Sequence, residues 1–194
     1  MKKDFTINMN KTGNKNMETD LIDACLKGNM NSFSFLVKSY KKPLFTYLFR
    51  LCGNKDYAED MLQETLLKVW QNLKKYNEQN KFSSWLFSIA HNVAVDTLRK
   101  RKVRNNIIYM DEIHEPDNNL NPFTILIAKE SGAKISNAIN KLPEKQKQVF
   151  LLRQHGEMTF KEIAELLKEP INTVLGHMHY AVDKLRKELT EKDE

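Results

Sequence analysis

Side chains able to carry out covalent or acid–base chemistry are sparse and poorly grouped in this chain of 194 residues. Cys25 and Cys52 lie far apart with no CxxC pairing, which excludes a disulfide framework and a cysteine-rich zinc site. Both sit among apolar neighbours at helical spacing, as buried structural thiols do. His177 and His179 are two residues apart, so on a helix they do not share a face and make a poor metal pair. No His–carboxylate metal spacing, nucleophile elbow or paired-acid site stands out, and neither a GxGxxG nor a Walker loop occurs. The expectation is a protein that is not an enzyme, holds no metal or cofactor and takes no small-molecule substrate.

The remaining chemistry is that of recognition. Thr159 with Glu162 makes a capping box that opens a short helix, and a tight turn at Lys168-Glu169-Pro170 leads to a longer second helix. Ile163, Ala164 and Leu167, then Val174 and Met178, let the two cross and bury a shared seam. These are helix-turn-helix proportions, with the second helix suited to the major groove, where base edges carry an unambiguous hydrogen-bond code. An ordinary helical hairpin has the same spacing. Upstream, Asp60, Gln63, Glu64, Leu67 and Gln71 fall opposite an apolar helical stripe. A leucine ringed by acids and amides suits a small docking spot, and equally a solvated face with one stray apolar residue. Further on, a helix ends in the basic run Arg99 to Arg104, which suits phosphates.

The elements that position these groups all read as helices. A short first helix around Leu21, Ile22, Cys25 and Leu26 ends near Gly28. Asn31 is placed to cap a second carrying Phe33, Leu36, Val37, Tyr40, Leu44, Leu48 and Leu51, which Pro43 should bend or split. A third carries Ala58, Met61, Leu62, Thr65, Val69 and Trp70. Ser83 is placed to cap a fourth that buries Leu86, Ile89, Ala90, Val93 and Leu98. From Asn105 to Ala128 there is no lysine or arginine, while Asp111, Glu112, Glu115 and Asp117 gather among asparagines and prolines, as in an extended linker. Beyond it, Ile135 to Leu142 mark a helix, Pro143 suits the first turn of the next, and that one stops at Gly156. The final helix begins near Asn172 or Thr173. The fold class is therefore all-α, two small helical domains joined by an extended acidic linker, the C-terminal one containing the helix-turn-helix. The expected boundaries are a tail at 1–16, a first domain at 17–104, the linker at 105–122 and a second domain at 123–194. Net charge is +6 with a pI of about 9.1, which favours an anionic partner. No apolar run approaches the roughly 20 residues that span a bilayer, and the N-terminus develops no signal-peptide core. Cytoplasmic residence without direct membrane insertion is expected.

The segment KLPEKQKQVFLLRQHGEMTFKEIAELLKEPINTVLGHMHYAVDKLRKEL resembles the C-terminal domain of bacterial sigma factors. DYAEDMLQETLLKVWQNLKKY followed by FSSWLFSIAHNVAVDTLRKRK resembles their N-terminal domain. Having these two domains alone is similar to the extracytoplasmic-function group. The resemblance implies a subunit that binds core RNA polymerase and promoter DNA, with an anti-sigma factor as a further partner. It implies docking on the clamp coiled coil of the largest polymerase subunit through Asp60, Gln63, Glu64, Leu67 and Gln71. It implies −10 recognition by Asn77, Asn80, Lys81 and Phe82 of a base-capturing loop and by Ser84, Ser88, His91, Asn92, Arg99 and Lys100 of the next helix. For −35 recognition it implies Thr159, Lys161, Thr173, Leu175, Gly176, His177, His179 and Tyr180. Trp85 and Phe87 have the chemistry to stack on bases and the spacing of core residues. The linker suits the RNA exit path, or is a simple tether.

Where the family commonly has Thr-Val-Lys-Ser-Arg opening the recognition helix, this chain has Thr173, Val174, Leu175, Gly176 and His177. A cation is lost at Leu175 and weakened at His177, so the family's −35 sequence preference does not carry over. The alternative function is a free-standing helix-turn-helix regulator whose N-terminal bundle dimerises or binds a ligand.

Overall fold

The computed structural model describes residues 11–77, 81–108 and 130–190, without side chains at 11–16, 102–108 and 130–134. Asn80, most of the acidic stretch and Leu126 lie outside the described residues. No strand occurs among those described.

In the N-terminal half, α1 (Lys11–Leu26) is followed by α2 (Met30–Lys38), α3 (Lys41–Cys52) and α4 (Lys55–Asn72). Gly28 takes φ 90°, a left-handed turn that ends α1 and sets Asn29 in an extended conformation. Asn29, rather than Asn31, therefore caps α2, its Oδ1 accepting from the N–H groups of Asn31 at 3.0 Å and Ser32 at 3.2 Å. The α2–α3 break falls at Ser39 and Tyr40, so Pro43 sits in the first turn of α3, where its missing N–H leaves no bond unmade. Tyr40 donates to Glu18 Oε1 at 3.0 Å and ties α1 to this corner. Gly53 (φ 70°) closes α3, and Asn54 caps α4 by accepting from Tyr57 N–H at 3.0 Å.

A short 3-10 turn at Leu73–Lys75 leads towards α5 (Phe82–Ile108). Phe82 is already helical, so Ser83 is not its cap, and the helix continues four residues into the stretch read as linker. Leu44, Leu48, Met61, Val69, Leu86 and Val93 are all buried between α3, α4 and α5. A leucine so placed contributes roughly 2 kcal/mol by leaving water.

The C-terminal half contains α6 (Glu130–Asn140), α7 (Glu144–His155), α8 (Phe160–Leu167) and α9 (Ile171–Thr190). Pro143 is the residue before α7 and not within its first turn, and α9 opens one residue ahead of Asn172. Val149, Leu152, Ile163, Val174 and Ala181 form the shared core. At the α6–α7 corner, Lys141 Nζ pairs with Glu188 at 2.7 Å and its carbonyl accepts from Lys184 Nζ at 3.0 Å, pinning α9. The two halves meet where α7 stops. A Cβ on Gly156 would lie 2.8 Å from the Leu152 carbonyl and 3.1 Å from the Phe87 ring, so only glycine fits without something shifting.

Candidate docking and nucleic-acid interfaces

Helix α4 has two distinct faces. Ala58, Met61, Thr65 and Val69 face the core, with the Thr65 hydroxyl donating to the Met61 carbonyl at 2.6 Å so that it is buried without an unmade bond. Asp60, Gln63, Glu64, Leu67 and Gln71 are all exposed, Leu67 by 56%. Glu64 pairs with Lys68 at 2.8 Å, which stiffens the rim and partly neutralises it. The helix therefore brings together every residue expected at the dock, around an apolar centre.

The loop and helix expected to read DNA divide differently. Asn77, Lys81, Asn92, Arg99 and Lys100 are exposed and Ser88 is half-buried. Phe82 is not available to a base: it is buried, with its ring edge-on to Tyr40 and Tyr76 at 5.5 Å each and 5.8 Å from Trp85. These aromatics anchor the loop from beneath. Phe87 is fully buried, edge-on to Tyr47 at 5.5 Å, whereas Trp85 is half-buried. Ser84 and His91, which the resemblance implies for −10 recognition, are buried as well. The physical reason is that α5 packs on α3 as well as α4 and meets the C-terminal half, so more than one of its faces is covered.

His91 Nδ1 lies 2.8 Å from the Tyr47 hydroxyl. Burial, reinforced by the charge of Lys145, pushes the His91 pKa down to about 4, so the imidazole is neutral at pH 7 and accepts that bond. Desolvation pushes the Tyr47 phenol well up, keeping it a donor. Of the basic run, Arg101 is committed within the chain, its guanidinium 3.7 Å from the centre of the Tyr57 ring. Among the described side chains of that run, Arg99 and Lys100 are exposed.

A cavity of about 280 Å³ opens between α4 and α5, lined by Lys68, Asn72, Lys75, Trp85, Ile89, Asn92 and Val93. Sequence spacing did not connect Lys68, Asn72 and Lys75 with Trp85, because the groups lie on separate elements. The pair Lys74-Lys75 just before the loop was the available signal.

The helix-turn-helix forms as the spacing requires. Thr159 N–H donates to Glu162 Oε2 at 2.6 Å, Glu162 N–H donates to Thr159 Oγ1 at 3.2 Å, and the hydroxyl itself donates back at 2.8 Å. Burial works against ionising Glu162, but the Thr159 bonds and the field of Lys81 outweigh it and hold its carboxyl below the ordinary value. The Thr159 hydroxyl is thus engaged in the cap, on an exposed residue. Lys168 turns the chain with φ 55°. On α9, Thr173, Leu175, His179 and Tyr180 are exposed, as is Lys161 on α8. His177 is half-buried and 3.3 Å from Glu169, which also holds Lys145 at 2.8 Å. The Lys145 hydrogen bond is the main reason that the Glu169 carboxyl stays below its ordinary value, against burial and with help from His177. His177 therefore lies against the turn. Apart from its chain neighbours and its own helix backbone, nothing approaches within 4 Å of where a Cβ on Gly176 would be.

Residues 36–104 match the family description Sigma-70 region 2, and residues 138–187 match Sigma-70, region 4. The chain is 30% identical over 176 residues to the ECF RNA polymerase sigma factor SigW of Bacillus subtilis, covering 85% of this chain and 92% of that one. Its fold is similar to that of CnrH, solved with the cytosolic domain of CnrY, at a TM-score of 0.64 and 20% identity over 91% of this chain and 99% of that one. The sigma factor RpoE of Bartonella quintana, solved with the anti-sigma factor NepR, matches at a TM-score of 0.66 and 20% identity, over 84% of this chain and 98% of that one.

Proposed function

The chain belongs to the ECF family of RNA polymerase sigma factors, and from that membership we propose how its surfaces divide the work. As a sigma factor it binds core RNA polymerase and promoter DNA and directs transcription initiation, and such factors are non-catalytic. The free-standing regulator gives way to this reading, because the N-terminal half matches region 2.

In the proposed division, the outer face of α4 docks on the clamp coiled coil of the largest polymerase subunit. Leu67 enters an apolar recess while Asp60, Gln63, Glu64 and Gln71 hydrogen-bond around it. The exposed half of the −10 group, Asn77, Lys81, Asn92, Arg99 and Lys100, meets the opened strand and its phosphates. Lys161, Thr173, Leu175, His179 and Tyr180 face the −35 element across the major groove. The observation that carries the docking assignment is the isolated exposure of Leu67 on a helix whose other leucines are at least partly buried. We place the protein in the cytoplasm with the polymerase; no described helix is long and apolar enough to cross a membrane. An anti-sigma factor as regulator is supported by the fold shared with RpoE.

The test is Leu67→Asp. Because the side chain is more than half exposed, thermal stability should change by no more than about 0.5 kcal/mol. Retention on core polymerase in a pull-down, and run-off transcription, should both fall. A variant that binds core normally places the dock elsewhere.

A further inference from the structure

Lys38 at the end of α2, with Lys41 and Lys42 at the start of α3, brings three exposed ammonium groups to one corner of the N-terminal half. None of the three forms an ion pair among the described residues. Glu18, the carboxylate bonded at this corner, is held by the Tyr40 hydroxyl at 3.0 Å. Lysine is out of place at a helix start, where the backbone N–H groups already leave positive charge, and the first turn of α3 contains no acid to offset it. An arriving anion would relieve that local cost. Phe35 lies one turn before Lys38 on the same side of α2 and is 65% exposed. The corner is joined to the −10 loop through rings. Tyr40, between Lys38 and Lys41 in the chain, packs edge-on to Phe82 at 5.5 Å, and Phe82 meets Tyr76 at the same distance. Phe82 follows Lys81, and Tyr76 follows Lys74 and Lys75, all three of them exposed. One aromatic cluster therefore carries exposed lysines from both the loop and the corner.

Resting on the −10 assignment proposed above, we propose that the α2–α3 corner is a further contact for the opened promoter strand, with Lys38, Lys41 and Lys42 taking phosphates and Phe35 stacking on a base. Cations beside an exposed aromatic ring are the groups that hold a single strand whatever its sequence: the cations follow the backbone, and the ring takes the base that lies over it. The choice of DNA over an acidic protein surface follows from continuity. The rings beneath the corner are those that anchor the −10 loop, so a strand held at Asn77 and Lys81 is delivered beside it. The contact lengthens the grip on the strand and adds no base preference, because a lysine on a phosphate and a stacked phenyl ring read no base edge.

The test uses holoenzyme reconstituted with core polymerase, and a promoter fragment recovered by run-off transcription whose −10 stretch is held open by mismatched bases. Affinity is measured over a salt series. Lys38→Ala with Lys41→Ala and Lys42→Ala should be retained on core polymerase in a pull-down as the wild type is. It should lower the slope of log affinity against log salt by about 2, at roughly 0.7 for each single-strand phosphate no longer neutralised. Lys38→Arg with Lys41→Arg and Lys42→Arg keeps the charge and should keep the wild-type slope. Phe35→Ala should weaken binding by about fivefold or more at every salt concentration and leave the slope unchanged. An alanine variant with the wild-type slope would overturn the phosphate contact, and loss of its retention on core would overturn it in favour of an acidic polymerase surface. A Phe35→Ala chain that binds as tightly as the wild type would overturn the stacking. Should the triple alanine variant lose its helicity, Lys41→Ala with Lys42→Ala is read in its place, for a fall in slope of about 1.4. Arg99→Ala with Lys100→Ala, measured on the same fragment, separates the two readings. If it too leaves the slope unchanged, the −10 assignment fails, whereas a fall there with none for the corner variant counts against the corner alone.

Discussion

Replacing His91 by glutamine removes a titrating group from a place where charge is expensive. In the folded chain burial and Lys145 hold the His91 pKa at about 4, against 6.5 for an unhindered imidazole. The unfolded chain therefore takes up a proton near pH 6.5 that the folded chain refuses until about pH 4. Between those values the unfolded state binds more protons, so stability is complete above the upper value and is lost as pH falls towards the lower. Near pH 5.5 the loss from this one residue should be about 1.4 kcal/mol, and near pH 4.5 about 2.5 kcal/mol, levelling at roughly 3.4 kcal/mol. Other groups titrate in the same window, His155 among them, its pKa also pushed down to about 4 by burial and by Arg50. The wild type minus His91→Gln difference cancels them to first order. Urea unfolding followed by far-ultraviolet circular dichroism, at each pH for both chains, supplies the difference. Parallel pH dependences in the two proteins would refute the reasoning. So would a His91 imidazole that titrates near pH 6.5 by nuclear magnetic resonance, since the Tyr47 bond would then not be that of a desolvated neutral ring.

Arg99→Ala with Lys100→Ala should leave core binding intact and reduce promoter opening. It should also lower the slope of log affinity against log salt by about 0.7 to 0.9 for each phosphate no longer neutralised, read from binding over a salt series. Gly176→Ala should stabilise the chain by about 0.5 to 1 kcal/mol in thermal melts, because the added Cβ meets open space and the helix gains propensity. The same variant should lower run-off from −35-dependent promoters if α9 rides close to the groove wall; full activity at all of them would leave Gly176 a tolerated surface residue. Thr159→Ala removes both hydroxyl bonds of the capping box and should cost about 1 kcal/mol of stability in urea unfolding.

Much of the architecture was legible where the deciding interactions are local. The core stripe of α4 follows from apolar spacing within eighteen residues, and Leu67 stood out because it broke that spacing. The capping box of Thr159 and Glu162 spans one turn, and the motifs of both halves lie in continuous segments. Errors of a residue or two at helix starts, Asn31 for Asn29 and Ser83 as a cap, have an equally local cause: several polar residues in a row can each cap, and the choice depends on how the preceding turn delivers the chain.

What the sequence determined by itself was therefore which segments are helical, which single face of each is apolar, and which family they serve. What only the tertiary structure decided was which of the remaining faces stay wet. Ser84 and His91 are polar residues opposite an apolar stripe, and a helical wheel leaves them in solvent. They are buried where α3 and the end of α7, distant in sequence, pack on α5: Tyr47 bonds His91, and Gly156 lies against Phe87, which shares their side of the helix. Likewise His177 reads as a free recognition residue until the turn brings Glu169 within 3.3 Å. Hydrophobic periodicity reports the first partner of a helix, because that partner removes the most apolar surface from water. A second contact built from glycine, serine, histidine and charge leaves almost no periodic trace, and only the assembled chain shows it.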